Sequence, residues 1–249
     1  MRLISWRACL ILGLSASLLP MGVMLAQTAP AAGSGAVPAE RPLPLPAAPL
    51  APAVMIDPAH GGSESGAVLN PLILEKDVNL AFGRLMRQDL TARGVLVRLM
   101  REGDVNLSTD DRAAIVNSAH PLLYVCLHAS SEIGGVRIFS AMLPPGADNS
   151  GPFVDWATAQ SRVLSSSREL EQQLAMAVQK SGIPARALIA PLKPLNNVVV
   201  PALAIEISPT TSDVSQLVAA DFQQKTAAAL SNAIAAMLPA IRFNSGVPH

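Results

Sequence analysis

Three short segments of the chain are hydrophobic almost without interruption, and this feature constrains the fold more than any other. They read AVMIDPA (53–59), PLLYVCLH (121–128) and PALAIEI (201–207). A strand that is apolar on both faces is typical of a parallel sheet covered by helices on each side. Because segments with helical spacing lie between these strands, the sequence predicts one α/β domain over residues 54–243. Its mostly parallel, twisted sheet should carry helices on both faces.

The segments between the strands carry the signals of helices. Residues 75–93 have apolar side chains at helical spacing, and Gly94 follows as a stop. Ser108 or Thr109 is a suitable cap for the next helix, which has acidic residues in its first turn. Further helices are predicted over 168–180 and 219–238, and further strands over 95–100, 134–141 and 187–192.

The N-terminal part of the chain differs in composition from the rest. Two arginines within residues 1–7 precede an uncharged, apolar run over 8–26. This order predicts a secretory signal peptide over 1–26, with an uncleaved anchor as the alternative. Residues 27–53 are rich in proline and alanine and predict an extended linker, and 244–249 form a tail. We therefore expect an exported protein, either periplasmic or secreted.

Charge and cysteine content limit the classes of partner. The chain has 18 basic and 18 acidic residues, so its net charge is zero and nothing favours nucleic-acid binding. We expect no membrane contact beyond the signal or anchor segment. After signal cleavage Cys126 would be the remaining cysteine, which predicts a buried thiol and no intramolecular disulfide.

Three predicted strands end on an ionisable residue: His60, His128 and Glu206. The carboxyl ends of parallel strands meet at one edge of a sheet, where ligands bind in α/β proteins. Glu75 opens the first helix and should lie beside the same edge. Two histidines and a carboxylate can bind a catalytic zinc ion and leave one position for water. A further carboxylate could then accept and return a proton.

Structural interpretations of the same residues remain open at this point. Glu206 could pair with an arginine such as Arg101 or Arg112, and Glu75 could be an ordinary acid of a first helical turn. Asp57 could orient a metal ligand or simply cap the turn. The spacing alone does not decide between a zinc site and these alternatives.

Four motifs carry a resemblance to a known family. They read DPAHGG (57–62), EKDVNLA (75–81), CLHASS (126–131) and IEISPTTS (205–212). Supporting matches lie at GVLVRLMREGD (94–104), LSTDDRAAIVN (107–117) and GGVRIF (134–139). Together, and in this order, they resemble the zinc-dependent N-acetylmuramoyl-L-alanine amidases, the amidase type 3 family of bacterial cell-wall hydrolases. The resemblance covers nearly all of residues 54–243.

The resemblance implies a role for each candidate residue. His60, Glu75 and His128 would be the zinc ligands, and Glu206 would be the catalytic carboxylate. The reaction would be hydrolysis of the amide between N-acetylmuramic acid and L-alanine in peptidoglycan. The expected partners are therefore a muramyl peptide and an activator protein. Two alternatives are a weakly active or inactive binding protein on the same fold and a zinc hydrolase of another amide.

Several positions depart from the family pattern and motivate those alternatives. Ala59 stands where the family has glycine, and Ser130 stands where it has asparagine. Within the last motif, Ser208, Pro209 and Thr210 stand where the family has glycine, phenylalanine and leucine. Residues 142–167 lie where some relatives carry an inhibitory helix over the zinc. Within this stretch, FVDWATAQSRVL (153–164) could form only about two or three turns.

Overall fold

The computed structural model of the chain describes residues 53–147 and 155–244. The predicted signal peptide, nearly all of the predicted linker and residues 245–249 of the predicted tail lie outside the described residues. Within the described ranges, no helix combines the length and hydrophobicity needed to cross a bilayer.

The chain alternates strands and helices as the sequence predicts. The strands are β1 (Val54–Pro58), β2 (Val68–Asn70), β3 (Ile73–Leu74), β4 (Val97–Leu99), β5 (Leu123–Ala129), β6 (Val136–Ala141), β7 (Ala185–Ala190) and β8 (Ala202–Ile207). The α-helices are α1 (Glu75–Ala92), α2 (Thr109–Ala119), α3 (Leu164–Lys180) and α4 (Ala220–Asn244). Short 3₁₀ segments span Trp156–Val163, Leu195–Asn197 and Val214–Val218.

Six strands form the main sheet in the order β4-β1-β5-β8-β6-β7. The first four are mutually parallel, which confirms the predicted mostly parallel sheet. β6 runs antiparallel to β8, and β7 runs parallel to β6. The amino ends of β6 and β7 therefore lie at the same sheet edge as the carboxyl ends of β1, β5 and β8.

Helices cover both faces of the sheet, as predicted. One face packs against α1, α3 and α4 through a core that includes Phe82, Leu174 and Ile234. The other face packs against α2 and the Leu195–Asn197 segment through Met55 and Tyr124. Since strand residues alternate between the two faces, β5 directs Tyr124, Cys126 and His128 to the second face.

Several bounds differ from the predicted ones: α4, for example, continues to Asn244, six residues beyond its predicted end. α3 begins at Leu164, four residues before the predicted start, because the 3₁₀ segment Trp156–Val163 leads directly into it. β7 begins two residues before its predicted start. The two-stranded hairpin β2–β3 is absent from the predictions, because two and three residues are too few for a detectable period.

The described part of the irregular 142–167 stretch lies toward the edge opposite to His128. Gln160 Nε2 donates to the carbonyl oxygens of Val198 and Val200, which precede β8. Asn197 Nδ2 donates to the carbonyl oxygen of Trp156. Residues 155–163 are thus bound to the amino end of β8, while residues 148–154 lie outside the described residues.

Candidate metal centre

Two histidines and one glutamate converge at the edge where β1 and β5 end. His60 follows β1 by two residues, Glu75 is the first residue of α1, and His128 is the penultimate residue of β5. One potential ligand atom from each side chain lies within 4.8 Å of the others. The structure therefore brings together the three residues that the sequence predicts as metal ligands.

Glu75 occupies the middle of the cluster. Its Oε1 lies 3.2 Å from His60 Nε2 and 2.8 Å from His128 Nδ1. The imidazole rings meet edge to face, with centroids 5.3 Å apart. Glu75 Oε2 accepts a hydrogen bond from the Ala67 amide at 2.8 Å. These contacts hold Glu75 Oε1 between Nε2 of one imidazole ring and Nδ1 of the other.

The turn after β1 has a backbone that few sequences can adopt. His60 itself has a φ of 64°, in the left-handed region, and Gly61 and Gly62 follow with φ values of 134° and 61°. A non-glycine residue in this region is uncommon and is often found at functional sites. Gly66 completes the loop, because a Cβ there would lie 2.6 Å from both Glu75 Oε2 and His60 Cδ2.

Ala59, which departs from the family glycine, causes no conflict with this turn. The residues of the turn with positive φ are His60, Gly61, Gly62 and Gly66, so the backbone at position 59 accepts a side chain. The methyl group is buried in the core cluster that contains Tyr124 and Cys126. Ala59 therefore adds packing beneath the site rather than strain.

Proximity changes the acid–base properties of all three residues. Hydrogen bonding to Glu75 raises the pKa of His60 above its ordinary value. Burial opposes the charged form of His128, but its contacts with Cys126 and Glu75 leave its pKa well above the ordinary value. Burial likewise opposes ionisation of Glu75, yet hydrogen bonds from His128 and His60 hold its pKa far below its usual range. The arrangement therefore stabilises an ionised Glu75 carboxylate, placed either between two protonated imidazoles or beside one bound metal ion.

A buried network supports the cluster from below. Asp57 forms an ion pair with Arg112 and accepts a 2.6 Å hydrogen bond from the Tyr124 hydroxyl. Arg112 Nη2 also donates to the His60 carbonyl at 2.8 Å. Cys126 Sγ lies 4.0 Å from Asp57 Oδ2 and 3.6 Å from His128 Nε2. Asp57 therefore contacts neither imidazole directly and reaches the two histidines through Arg112 and Cys126.

Glu206 lies beside the cluster on the neighbouring strand. It pairs in register with His128 across β5 and β8, and with Arg137 across β8 and β6. Its side chain is 24% exposed and forms an ion pair with Arg137. Arg101 and Arg112, the partners considered from sequence, instead bind backbone carbonyls and Asp57. Arg101 donates to the carbonyl oxygens of Pro58 and Lys76.

Sequence reasoning did not identify Arg137 as part of this site. Arg137 Nη1 contacts Glu132 at 2.9 Å and Nη2 contacts Ser130 Oγ at 3.3 Å, in addition to the Glu206 pair. Glu132 and Glu206 raise its pKa despite the opposing effect of burial. The alternation GGVRIF places Arg137 on the face opposite to Val136 and Ile138, and that period of two was the available signal.

His120 lies at the opposite edge of the sheet, as predicted from its position before β5. It ends α2 with a φ of 44° and lines a cavity of about 430 Å³ together with Arg162 and Glu169. Of the predicted site residues, none lines this cavity. Its size alone does not connect it with the chemistry of the cluster.

The donor set of the cluster fits a zinc ion. Two imidazole nitrogens and one carboxylate oxygen are the ligands of many catalytic zinc sites, with a fourth position left for water or substrate. The His60 and His128 side chains are 18% and 31% exposed, so the site opens to solvent. A catalytic metal site needs ligands held by buried hydrogen bonds and a side open to solvent, and the cluster has both.

The fold and the cluster define a class: α/β proteins with a histidine–glutamate–histidine site at the carboxyl edge of the sheet. Residues 54–236 match the family model of the N-acetylmuramoyl-L-alanine amidases called Amidase_3. The chain belongs to this family. The match covers the whole sheet and all but the end of α4.

A curated relative agrees with this assignment. A segment of 79 residues is 38% identical to the N-acetylmuramoyl-L-alanine amidase LytC of Bacillus subtilis, covering 32% of this chain and 16% of that protein. The chain therefore spans less than a fifth of the length of this curated relative.

Two solved structures share the fold. The catalytic domain of CwlV, an N-acetylmuramoyl-L-alanine amidase from Bacillus (Paenibacillus) polymyxa, superposes with a TM-score of 0.56 at 22% identity, over 75% of this chain and 97% of that one. The CwlD amidase from Clostridioides difficile, solved in complex with the GerS lipoprotein, superposes with a TM-score of 0.55 at 22% identity, over 76% and 99% of the two chains.

Proposed function

We propose that the protein is a zinc-dependent amidase that hydrolyses the bond between N-acetylmuramic acid and L-alanine in peptidoglycan. One observation carries the proposal: a family match over residues 54–236 coincides with a solvent-accessible cluster of His60, Glu75 and His128. The cluster lies at the sheet edge where α/β proteins bind their ligands.

His60 Nε2, His128 Nδ1 and a Glu75 oxygen would hold the zinc ion. A bound zinc ion would polarise the scissile carbonyl and lower the pKa of an attacking water. The raised histidine pKa values mean that zinc must displace protons from the rings, so binding releases protons. Asp57 and Arg112 keep the two histidines in place while this occurs.

Glu206 is the proposed proton carrier of the reaction. Its carboxylate would accept a proton from the attacking water and then deliver it to the departing L-alanine nitrogen. It lies one strand away from His128 in register, which supports access to a substrate at the cluster. The ion pair with Arg137 fixes the direction of the carboxylate.

The proposed site of action is the cell wall, outside the cytoplasm, where this substrate occurs. The signal peptide predicted over residues 1–26 would export the protein. The predicted linker, residues 27–53, would lie between this N-terminal segment and the catalytic domain. An activator protein is a further proposed partner, supported by the complex of the structurally similar CwlD amidase with GerS.

The Arg137–Glu206 ion pair also favours a second candidate, a wall-binding protein that hydrolyses slowly or not at all. The guanidinium of Arg137 contacts the Glu206 carboxylate, the group that would otherwise contact the attacking water. In this candidate the protein would bind muramyl peptides and zinc but release little product.

One experiment separates the two candidates. The protein and its Glu206→Gln variant are purified, their zinc content is measured, and both are incubated with muropeptides. The amidase proposal expects one zinc per chain in both and release of free stem peptide by the wild type alone, with at least a hundredfold loss in the variant. Equal, negligible release with normal zinc content would favour the binding protein. A wild type that binds no zinc would contradict both.

A further inference from the structure

A row of ionisable side chains crosses four neighbouring strands next to the candidate metal centre. His128 pairs in register with Glu206, Glu206 with Arg137, and Arg137 with Arg186 of β7. Neighbouring strands are about 4.8 Å apart, so the Arg186 backbone lies about 10 Å from that of Glu206. The row thus leads from the proposed reacting bond to the outer edge of the sheet.

The two arginines of the row differ in their partners. Arg137 is occupied by Glu206, Glu132 and Ser130. Arg186 is exposed and, among the residues that the structure describes, has no hydrogen-bond or ion-pair partner. Its guanidinium is therefore available to a ligand.

Arg186 also lines a depression at the same sheet edge. The depression has a volume of about 460 Å³ and is bounded by the loops that follow β5 and β8 and by the start of β7. Ile133 and Thr210 line it together with Gln179 and Pro184, and Arg186 is the charged residue among its lining. Ile133 is 63% exposed, so the depression offers an apolar wall beside a cation.

The acidic side chains on the other side of the cluster are already paired. Glu64 contacts His60 at 3.0 Å, and Asp104 contacts the Lys76 ammonium at 2.8 Å. Arg186 has no such partner among the described residues, so an anionic group is attracted toward β7 rather than toward the paired charges beside His60.

Resting on the amidase function proposed above, we propose that the stem peptide runs from Glu206 across β6 toward β7. Arg186 binds a free carboxylate carried by the second or third residue of that peptide. Two or three extended residues span about 7–11 Å, which matches the distance from Glu206 to Arg186. The guanidinium can form two parallel hydrogen bonds with such a carboxylate. Arg186 is thus a specificity-determining residue that selects acidic stems over amidated ones.

The test compares synthetic muramyl tripeptides that differ in one group. One series carries a free carboxylate or an amide on the second residue, and the other carries a free carboxylate or an amide on the side chain of the third. The zinc-loaded protein is assayed beside Arg186→Gln and the control Arg98→Gln, which removes an exposed arginine from β4 at the other end of the sheet. Thermal unfolding checks that all three are folded.

We expect the wild type and Arg98→Gln to prefer the acid in one series by about tenfold in kcat/KM, and Arg186→Gln to lose that preference. The series that shows the preference identifies which carboxylate is bound. Equal rates for acid and amide in both series, or an unchanged preference in Arg186→Gln, would overturn the inference and leave the amidase function intact.

Binding of the released stem tripeptides, measured by calorimetry, provides a readout that does not need catalysis. The acid should bind the wild type about tenfold more tightly than the amide, and this difference should disappear in Arg186→Gln. If the protein shows this binding difference but cleaves no muramyl peptide, the amidase function fails and the carboxylate site stands. If binding shows no difference, the carboxylate site fails.

Discussion

At the scale of single residues, Glu75 couples the protonation of two histidines to the stability of the fold. The pKa of His60 and of His128 is raised above the unfolded value of 6.5, and the pKa of Glu75 is lowered from 4.5. Raised histidine pKa values stabilise the folded protein below pH 6.5, and this contribution is lost as pH rises through the folded-state values. The lowered Glu75 pKa contributes stability above pH 4.5, which is lost as pH falls.

We therefore expect the metal-free protein to become less stable as pH rises above 6.5. Urea unfolding in the presence of a chelator, repeated across this range, measures the effect as a falling midpoint. The control is Glu75→Gln, in which the histidines lose their anionic partner and the slope should flatten. An equal slope in the wild type and in Glu75→Gln would contradict the prediction.

A second prediction concerns the contribution of the buried Asp57–Arg112 ion pair to the free energy of unfolding. Its side chains are 0% and 4% exposed, so Asp57→Asn leaves a buried guanidinium without its counter-ion. Breaking a buried pair in this way costs about 3–5 kcal/mol of unfolding free energy. The matched control is Arg87→Gln, which breaks the solvent-exposed pair with Glu102 and should cost less than about 1 kcal/mol.

Chemical denaturation of both variants gives the comparison directly. Replacing both members of the buried pair, as Asp57→Asn with Arg112→Met, should recover part of the loss because no unpaired charge remains. A loss for Asp57→Asn as small as that for Arg87→Gln would show that the pair is not important for stability.

The sequence predicts those residues of the candidate site that lie at the ends of strands. His128 and Glu206 end strands that are apolar on both faces, so their common edge follows from the parallel arrangement. Arg137 could not be assigned in the same way. Its contact with Glu206 depends on which strands are neighbours, and strand order is not encoded in local hydrophobic periods.

At the scale of elements, the loop between β1 and α1 determines the geometry of the cluster. His60, Gly61, Gly62 and Gly66 have positive φ values there, and the Lys76 ammonium donates to the Gly62 carbonyl at 2.9 Å. The glycine pair was visible in the sequence, but the left-handed conformation of His60 was not. Hydrophobic patterns carry no information about the sign of φ.

Gly66→Ala tests whether the conformation of this loop positions Glu75 and His60 for metal binding. The new Cβ would lie 2.6 Å from Glu75 Oε2 and from His60 Cδ2, so two of the three predicted ligands must move. We expect zinc affinity to fall by tenfold or more, as is usual when the surroundings of metal ligands are disturbed. Competition with a chromogenic chelator measures this.

Gly94→Ala is the matched control for that experiment. Gly94 has a φ of 77°, close to the 65° of Gly66, but a Cβ there would meet nothing within 4 Å. Both variants therefore carry backbone strain, and Gly66→Ala alone carries the clash. If both lower zinc affinity equally, strain rather than the contact with Glu75 and His60 is responsible.

The direction of strands is the part of the fold that the sequence did not reveal. β6 and β7 are apolar and regular like the others, yet they run opposite to β8. This reversal brings Arg137 and Arg186 into the row that begins with His128. Amphipathic spacing indicates that a segment is a strand but not which way it runs, because the period of two is the same in both directions.

At the scale of the whole molecule, the proposed zinc site joins three elements that the chain connects only by loops. His60 belongs to the loop after β1, Glu75 begins α1, and His128 belongs to β5. An ion that binds all three in the folded protein, and not in the unfolded chain, must stabilise the fold. Stability and metal content should therefore change together.

Removal of zinc by a chelator should lower the melting temperature. A ligand present at one hundred times its Kd stabilises a protein by about 2.7 kcal/mol, which corresponds to about 5–10 °C for a domain of this size. Glu206→Gln should show the same shift as the wild type, because Glu206 is not among the proposed ligands, whereas His128→Ala should show none. A chelator effect that persists in His128→Ala would mean that the ion stabilises the protein from another place, and the assignment of the cluster as the metal site would be wrong.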